Sequence, residues 1–205
     1  MFRYLADAAS FEDCATGERF PVAMAAATKR SNPPILTAAL RRAPLYVTVE
    51  GSVERRERME GGHGPSLVVG RFLAAWPGET CERNRADAPL ANTYWKVAIL
   101  KGETLTPVEH AREASLVLHA TPEPRVAATA GSNRMVGSYR LEGENLTFGQ
   151  LASTMMACPP PLGAREEALA GALAATRSHA MAGSALVLYD AAHEPLVILK
   201  SVALR

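Results

Sequence analysis

The chain has 205 residues, with 22 Lys+Arg against 21 Asp+Glu, 48% hydrophobic and 6% aromatic residues, a composition that excludes disordered, collagenous and knottin-like chains. The length leaves open one large domain or two of about 100 residues each, and either can bury a core without metal clips or dense disulfides. A net charge of +1 argues against nucleic acid, whose binders need a basic face to neutralise phosphates, and no run of about 18 apolar residues is present to span a bilayer.

Met1 is followed at once by Phe2-Arg3-Tyr4-Leu5, which reads as a strand start and carries neither the charged nor the apolar region of a signal peptide. The expectation is a cytosolic protein or one whose targeting segment is missing from this chain. Glu18 to Met24 is a short strand candidate. Asn32-Pro33-Pro34 places a capping residue before prolines tolerated in a first helical turn, with Leu36 and Leu40 on one face, so a short helix is predicted at 33–42. Leu45 to Glu50 alternates apolar and polar residues with period two, and Ser66 to Trp76 is a second strong strand. Gly61-Gly62-His63-Gly64-Pro65 between them reads as a hairpin tip.

Glu82 to Pro89 is polar, with no large apolar residue, and marks a domain boundary. Residues 1–88 carry 12 basic and 11 acidic residues and 89–205 carry 10 and 10, so each half separately lacks the charge that nucleic acid would require. Strands are predicted at Thr93–Leu100, Ser115–His119, Arg125–Ala130, Gly137–Leu141 and Asn145–Phe148. From Pro160 to Thr176 the spacing becomes helical, with Leu162, Leu169, Ala172 and Leu173 on one face and Arg165, Glu166, Glu167 and Arg177 on the rest. Ala185–Tyr189 and Pro195–Leu199 close the chain as a hairpin.

Little in this pattern carries chemistry. The five histidines, His63, His110, His119, His179 and His193, show no ligand spacing. No His-Glu-x-x-His, Cys-x-x-Cys, calcium loop, phosphate loop or nucleophile elbow occurs. Loop or edge positions are expected for most of these histidines. Neighbouring carboxylates such as Glu12-Asp13 and Glu166-Glu167 diverge on a strand or helix and read as solvated surface. The cluster Arg55-Arg56-x-Arg58 is interleaved with Glu54, Glu57 and Glu60, which cancel its field. No catalytic residue and no cofactor is therefore expected. Met155, Met156 and Cys158 lie within four residues, and thioether plus thiolate suits Cu(I); the alternative is a cysteine packed as a small apolar residue under the loop before the helix. Three cysteines, Cys14, Cys81 and Cys158, allow three single-bridge pairings, among which the spacing does not choose.

Several blocks resemble known families. Ala130-Gly131-Ser132-Asn133-Arg134-Met135-Val136-Gly137-Ser138-Tyr139, then Leu146-Thr147-Phe148-Gly149, then Ala152-Ser153-Thr154-Met155-Met156-Ala157-Cys158-Pro159, resemble the META domain of HslJ-like bacterial envelope proteins. Tyr4 to Gly17, Phe20-Pro21-Val22-Ala23, Met59-Glu60-Gly61 and Pro77-Gly78-Glu79-Thr80-Cys81 resemble the OB-type domain at the C-terminus of NlpE lipoproteins. The resemblance implies two domains: an all-β OB-like barrel with a short helix over 1–85, and an α+β META domain over 90–205, an antiparallel sheet packed with one helix. It implies a non-catalytic module of the Gram-negative envelope, in the periplasm or held at the outer membrane by a lipid anchor outside this chain. Its expected partner is an unidentified envelope protein, with no nucleic acid, and its role lies in envelope stress or metal and drug tolerance; the alternative is a periplasmic binder of copper or a small ligand.

The same resemblance favours a Cys14–Cys81 bridge. It marks Gly131, Asn133, Gly137, Tyr139, Thr154, Met156 and Cys158 as motif residues, which either form a surface or hold the fold; the glycines suit backbone turns and Asn133 a left-handed position, so the structural role is the expectation. One departure stands out: the META pattern has Gly-Cys-Asn where this chain has Gly131-Ser132-Asn133, so the usual partner of Cys158 is replaced by a serine.

Overall fold

The computed structural model describes residues 1–5, 8–24, 44–57 and 62–202. The chain divides into two compact units, Met1–Ala86 and Asp87–Arg205, each described by itself. The short helix predicted at 33–42 lies outside the described residues. Among those described, no helix is long and apolar enough to cross a membrane.

The N-terminal unit contains β1 (Phe2–Leu5), β2 (Ala8–Glu12), β3 (Arg19–Met24), β4 (Tyr46–Glu57) and β5 (His63–Trp76). They form a sheet in the order β1-β2-β3-β5-β4. Neighbours are antiparallel except β3 and β5, which run parallel with Val22 opposite Leu67. Phe2 and Leu45 exchange two backbone hydrogen bonds of 2.8 and 2.9 Å, tying β1 back to the residue that leads β4. Phe2, Leu45 and Val47 form a small core there, with Phe11, Val22 and Phe72 packed against it. The hairpin tip is shorter than expected, because Glu57 pairs with His63 and Arg55 with Pro65, which draws residues 63–65 into the strand.

The C-terminal unit holds β6 (Tyr94–Leu100), β7 (Glu103–Thr104), β8 (Ser115–His119), β9 (Arg125–Thr129), β10 (Arg134–Glu142), β11 (Asn145–Phe148), β12 (Ala152–Ser153), α1 (Leu162–Ala175), β13 (Ser178–Ala182), β14 (Ala185–Tyr189) and β15 (Pro195–Val202). Its sheet is closed into an eight-stranded barrel, which runs β11-β13-β14-β15-β6-β8-β9-β10 and returns to β11. This corrects the expected architecture, which placed a barrel in the N-terminal domain and only a helix-packed sheet here. The reason is long-range pairing: β15 pairs with β6, from Val197 opposite Leu100 to Val202 opposite Tyr94, and β11, the hairpin partner of β10, meets β13 at Asn145 and Ser178. In the N-terminal unit, by contrast, the single Phe2–Leu45 bridge is all that joins the two edge strands among the described residues.

The barrel interior is filled by Trp95, Leu116, Leu118, Leu146, Leu186, Leu188 and Leu199, all essentially inaccessible. Helix α1 lies against β6, β11 and β15 and adds Leu169, Ala172 and Leu173 to the same core. Each leucine so buried contributes about 2 kcal/mol. The helix stops at Thr176, whose hydroxyl donates to Ala172 O at 2.8 Å. Arg177 then covers the orphan carbonyls of Ala174 and Thr176 at 3.0 and 2.7 Å.

Candidate functional site

The motif residues of the C-terminal unit converge where β10 begins, where the segment 153–158 crosses it, and where α1 starts. Asn133 is the centre and is buried. Its Oδ1 accepts from Thr154 Oγ1 and from the Met156 N–H, both at 2.8 Å. Its Nδ2 donates to Met156 O at 3.1 Å, Cys158 Sγ at 3.0 Å and Glu166 Oε2 at 2.9 Å, so two amide hydrogens serve three acceptors. Thr154 completes the clip: its N–H donates to Arg134 O, and its hydroxyl accepts from the Arg134 N–H, each at 3.1 Å. A single buried side chain thus fastens a loop without regular structure to both the barrel and the helix.

Two glycines, one on either side of Asn133, admit neighbouring segments at close range. A Cβ at Gly131, where φ is +121°, would stand 2.9 Å from Leu162 Cδ2 and 3.1 Å from Arg112 O. One at Gly137 would stand 2.6 Å from Leu151 Cδ2 and 2.8 Å from Gln150 O. Tyr139 is buried in the barrel core.

Cys158 is half-buried, and its Sγ contacts Ser132 Oγ and lies 3.3 Å from Glu166 Oε2. Met155 stands clear at 99% exposure and Met156 at 56%. Among the described residues no group of three or more His, Cys, Asp or Glu is placed to hold a metal.

The sequence sets Glu166 on the solvated side of the helix, and the structure corrects this. Its carboxylate accepts from Asn133, from Ser153 Oγ at 3.0 Å and from the Cys158 thiol. The missed signal is periodic: Glu166 follows Leu162 by four residues and precedes Leu169 by three, which sets a carboxylate at the border of the apolar stripe. Burial alone raises its pKa, but the hydrogen bonds from Asn133, Cys158 and Ser153 outweigh burial and hold the carboxyl below its ordinary value. A group depressed in the folded state contributes stability that is whole above the ordinary glutamate range and lost as pH falls through the lowered value. Glu166→Gln is therefore expected to cost about 1–2 kcal/mol at neutral pH and to flatten the loss of stability below about pH 4.3, measured by denaturant unfolding across the acid range.

In the N-terminal unit Cys14 and Cys81 are disulfide-bonded, with Cα atoms 4.9 Å apart. Both ends are held locally. Asp13 accepts from the Ala15 N–H and the Thr16 hydroxyl, each at 3.0 Å, in a turn that fixes Cys14. Buried Asn84 donates to Thr80 O at 2.8 Å beside Cys81.

Of the basic cluster, Arg56 is ion-paired to Glu54 at 3.1 Å, Arg55 is exposed, and Arg58 and Glu60 lie outside the described residues. Four of the five histidines are exposed. The fifth, His179, is buried with Nδ1 3.0 Å from Glu144 O.

Comparison with known proteins matches residues 88–203 to the META domain and residues 1–82 to the NlpE C-terminal OB domain. No curated protein matches. Two NMR structures are similar to the chain. One, of a protein from Burkholderia xenovorans, is 24% identical and covers 56% of this chain and 85% of its own, with a TM-score of 0.46. Another is 19% identical and covers 54% of this chain and 90% of its own, with a TM-score of 0.44. Neither domain is a known enzyme family, and both are typical of Gram-negative envelope proteins. The chain belongs to the META-domain family, its META domain preceded by an NlpE-type OB domain.

Proposed function

We propose that this chain is a non-catalytic module of the cell envelope that acts through protein interaction in envelope stress or in metal and drug tolerance. Its place is the periplasm, free or held at the outer membrane by a lipid anchor outside this chain. The observation that carries the reading is the joining of an NlpE-type OB domain to a META domain in one polypeptide. The Cys14–Cys81 bond supports it, because such bonds persist in oxidising compartments. The motif cluster supports it as well, since the Asn133 amide and the Thr154 hydroxyl are spent on holding the segment 153–158 in place.

The test begins with cells quenched in acid and alkylated at once. Labelling is expected at Cys158 alone, with the protein in the periplasmic or membrane fraction and with increased sensitivity to envelope stress when its gene is deleted. Labelling of all three cysteines in a cytosolic fraction overturns the envelope assignment. A Cu(I) titration against a competing chelator separates the soft-metal alternative: tight binding lost in Cys158→Ser would replace the interaction reading with that one.

A further inference from the structure

The barrel wall opens between β6 and β8. These strands pair only at Trp95 with Leu116 and at Lys96 with Ser115. Past that point Val97 N–H still reaches Ala114 O at 2.8 Å, but the Arg112 N–H has turned away to Gly131 O at 3.0 Å. On the other side the segment after β7 folds back, with Leu105 N–H on Ala98 O at 2.8 Å. The gap between these two segments is a cavity of about 130 Å³.

Its most buried lining residues, Val97, Ala130 and Leu162, are apolar, so the interior offers no side-chain polar group to a ligand. Its mouth is cationic, with Lys96, Arg112 and Arg165 against the single anion Glu113. Lys96 is committed to Glu113. Arg165 is committed to the loop, donating Nη1 to Thr106 O at 2.8 Å and Nη2 to Thr106 Oγ1 at 3.4 Å, and so holds that segment over the cavity. The Arg112 guanidinium has no partner among the described residues, and its planar fork matches a carboxylate.

We propose that this cavity binds a small monocarboxylate bearing one apolar group of phenyl or branched-alkyl size, with the apolar group against Val97, Ala130 and Leu162 and the carboxylate on Arg112. An apolar space of about 150 Å³ takes a benzene ring, and this one, open at its mouth, accommodates a ring whose substituent points outward. An inorganic anion would leave the apolar walls unfilled, and a neutral hydrocarbon would leave Arg112 unused. This site is separate from the Asn133 cluster and does not depend on the function proposed above.

Benzoate is the probe, and amide chemical shifts of the full chain are the readout. Saturable shifts are expected at Val97, Arg112, Ala114 and Ala130, with a dissociation constant on the order of a millimolar. Benzamide, the neutral analogue of the same shape, is expected to bind roughly tenfold more weakly. Arg112→Gln, at an exposed position without partners, is expected to leave the fold intact and bring benzoate down to the affinity of benzamide; Ala130→Leu is expected to fill the cavity and abolish both. Shifts that do not saturate well above the expected constant, equal binding of the two probes, or a benzoate preference that survives Arg112→Gln would each overturn the proposal.

Discussion

Replacing Cys14 and Cys81 together by serine is expected to destabilise the N-terminal unit by about 4 kcal/mol and to lower its melting temperature by on the order of 20 °C. The bond joins residues 67 apart and so encloses β3, β4 and β5, leaving β1 and β2 N-terminal to Cys14. Opening it releases the unfolded chain from a long closed loop, and that entropy is the larger part of the effect in the chain model. A domain of this size holds only a few kcal/mol in reserve to set against this. The C-terminal barrel contains one cysteine, Cys158, and no bridge. A calorimetric scan should therefore show two transitions, of which reductant or the double substitution shifts only one. Movement of both transitions, or of neither, would refute the assignment of this bond as the clasp of the N-terminal unit.

The strands legible in the sequence are those whose apolar residues carry the pattern unaided. Ser115–His119, Asn145–Phe148 and Ala185–Tyr189 fall where periodicity and turn residues set them. Ser178–Ala182 escapes such a reading because its residues are small and mixed; it is a strand because all five of them pair with β14. Closure of the barrel escapes for a related reason. It rests on β15 pairing with β6 and on β11 meeting β13 at Asn145 and Ser178, long-range choices that no local window contains. The motif cluster was legible as a list of residues and not as a mechanism. Asn133 shows as a turn residue beside Gly131, yet its work is done 23 residues away at Met156 and 33 residues away at Glu166. Charge alone sets Glu166 on the outer side of α1, whereas three hydrogen-bond donors draw it to the border of the buried stripe.

Restoring a cysteine at the serine of the motif is expected to have the opposite effect in the C-terminal unit. Ser132 Oγ and Cys158 Sγ are in contact, so Ser132→Cys brings two sulfurs to within a small adjustment of bonding distance. The loop thereby closed spans 26 residues, for which the chain model gives up to about 3.5 kcal/mol. The gain has a cost, because the Cys158 thiol now donates to Glu166 Oε2 at 3.3 Å and a disulfide sulfur cannot. Glu166 keeps Asn133 and Ser153 as donors, so its carboxylate remains depressed, though less than before, and the acid limb of stability should shift slightly toward higher pH in the oxidised variant. The prediction is read as a rise in the second calorimetric transition of oxidised Ser132→Cys, reversed by reductant and absent in the pair Ser132→Cys with Cys158→Ser. If the bridge forms quantitatively and that transition does not rise, then the Asn133 clip already holds the segment 153–158 as firmly as a covalent link would, and the serine in this chain carries no stability deficit for the bridge to repair.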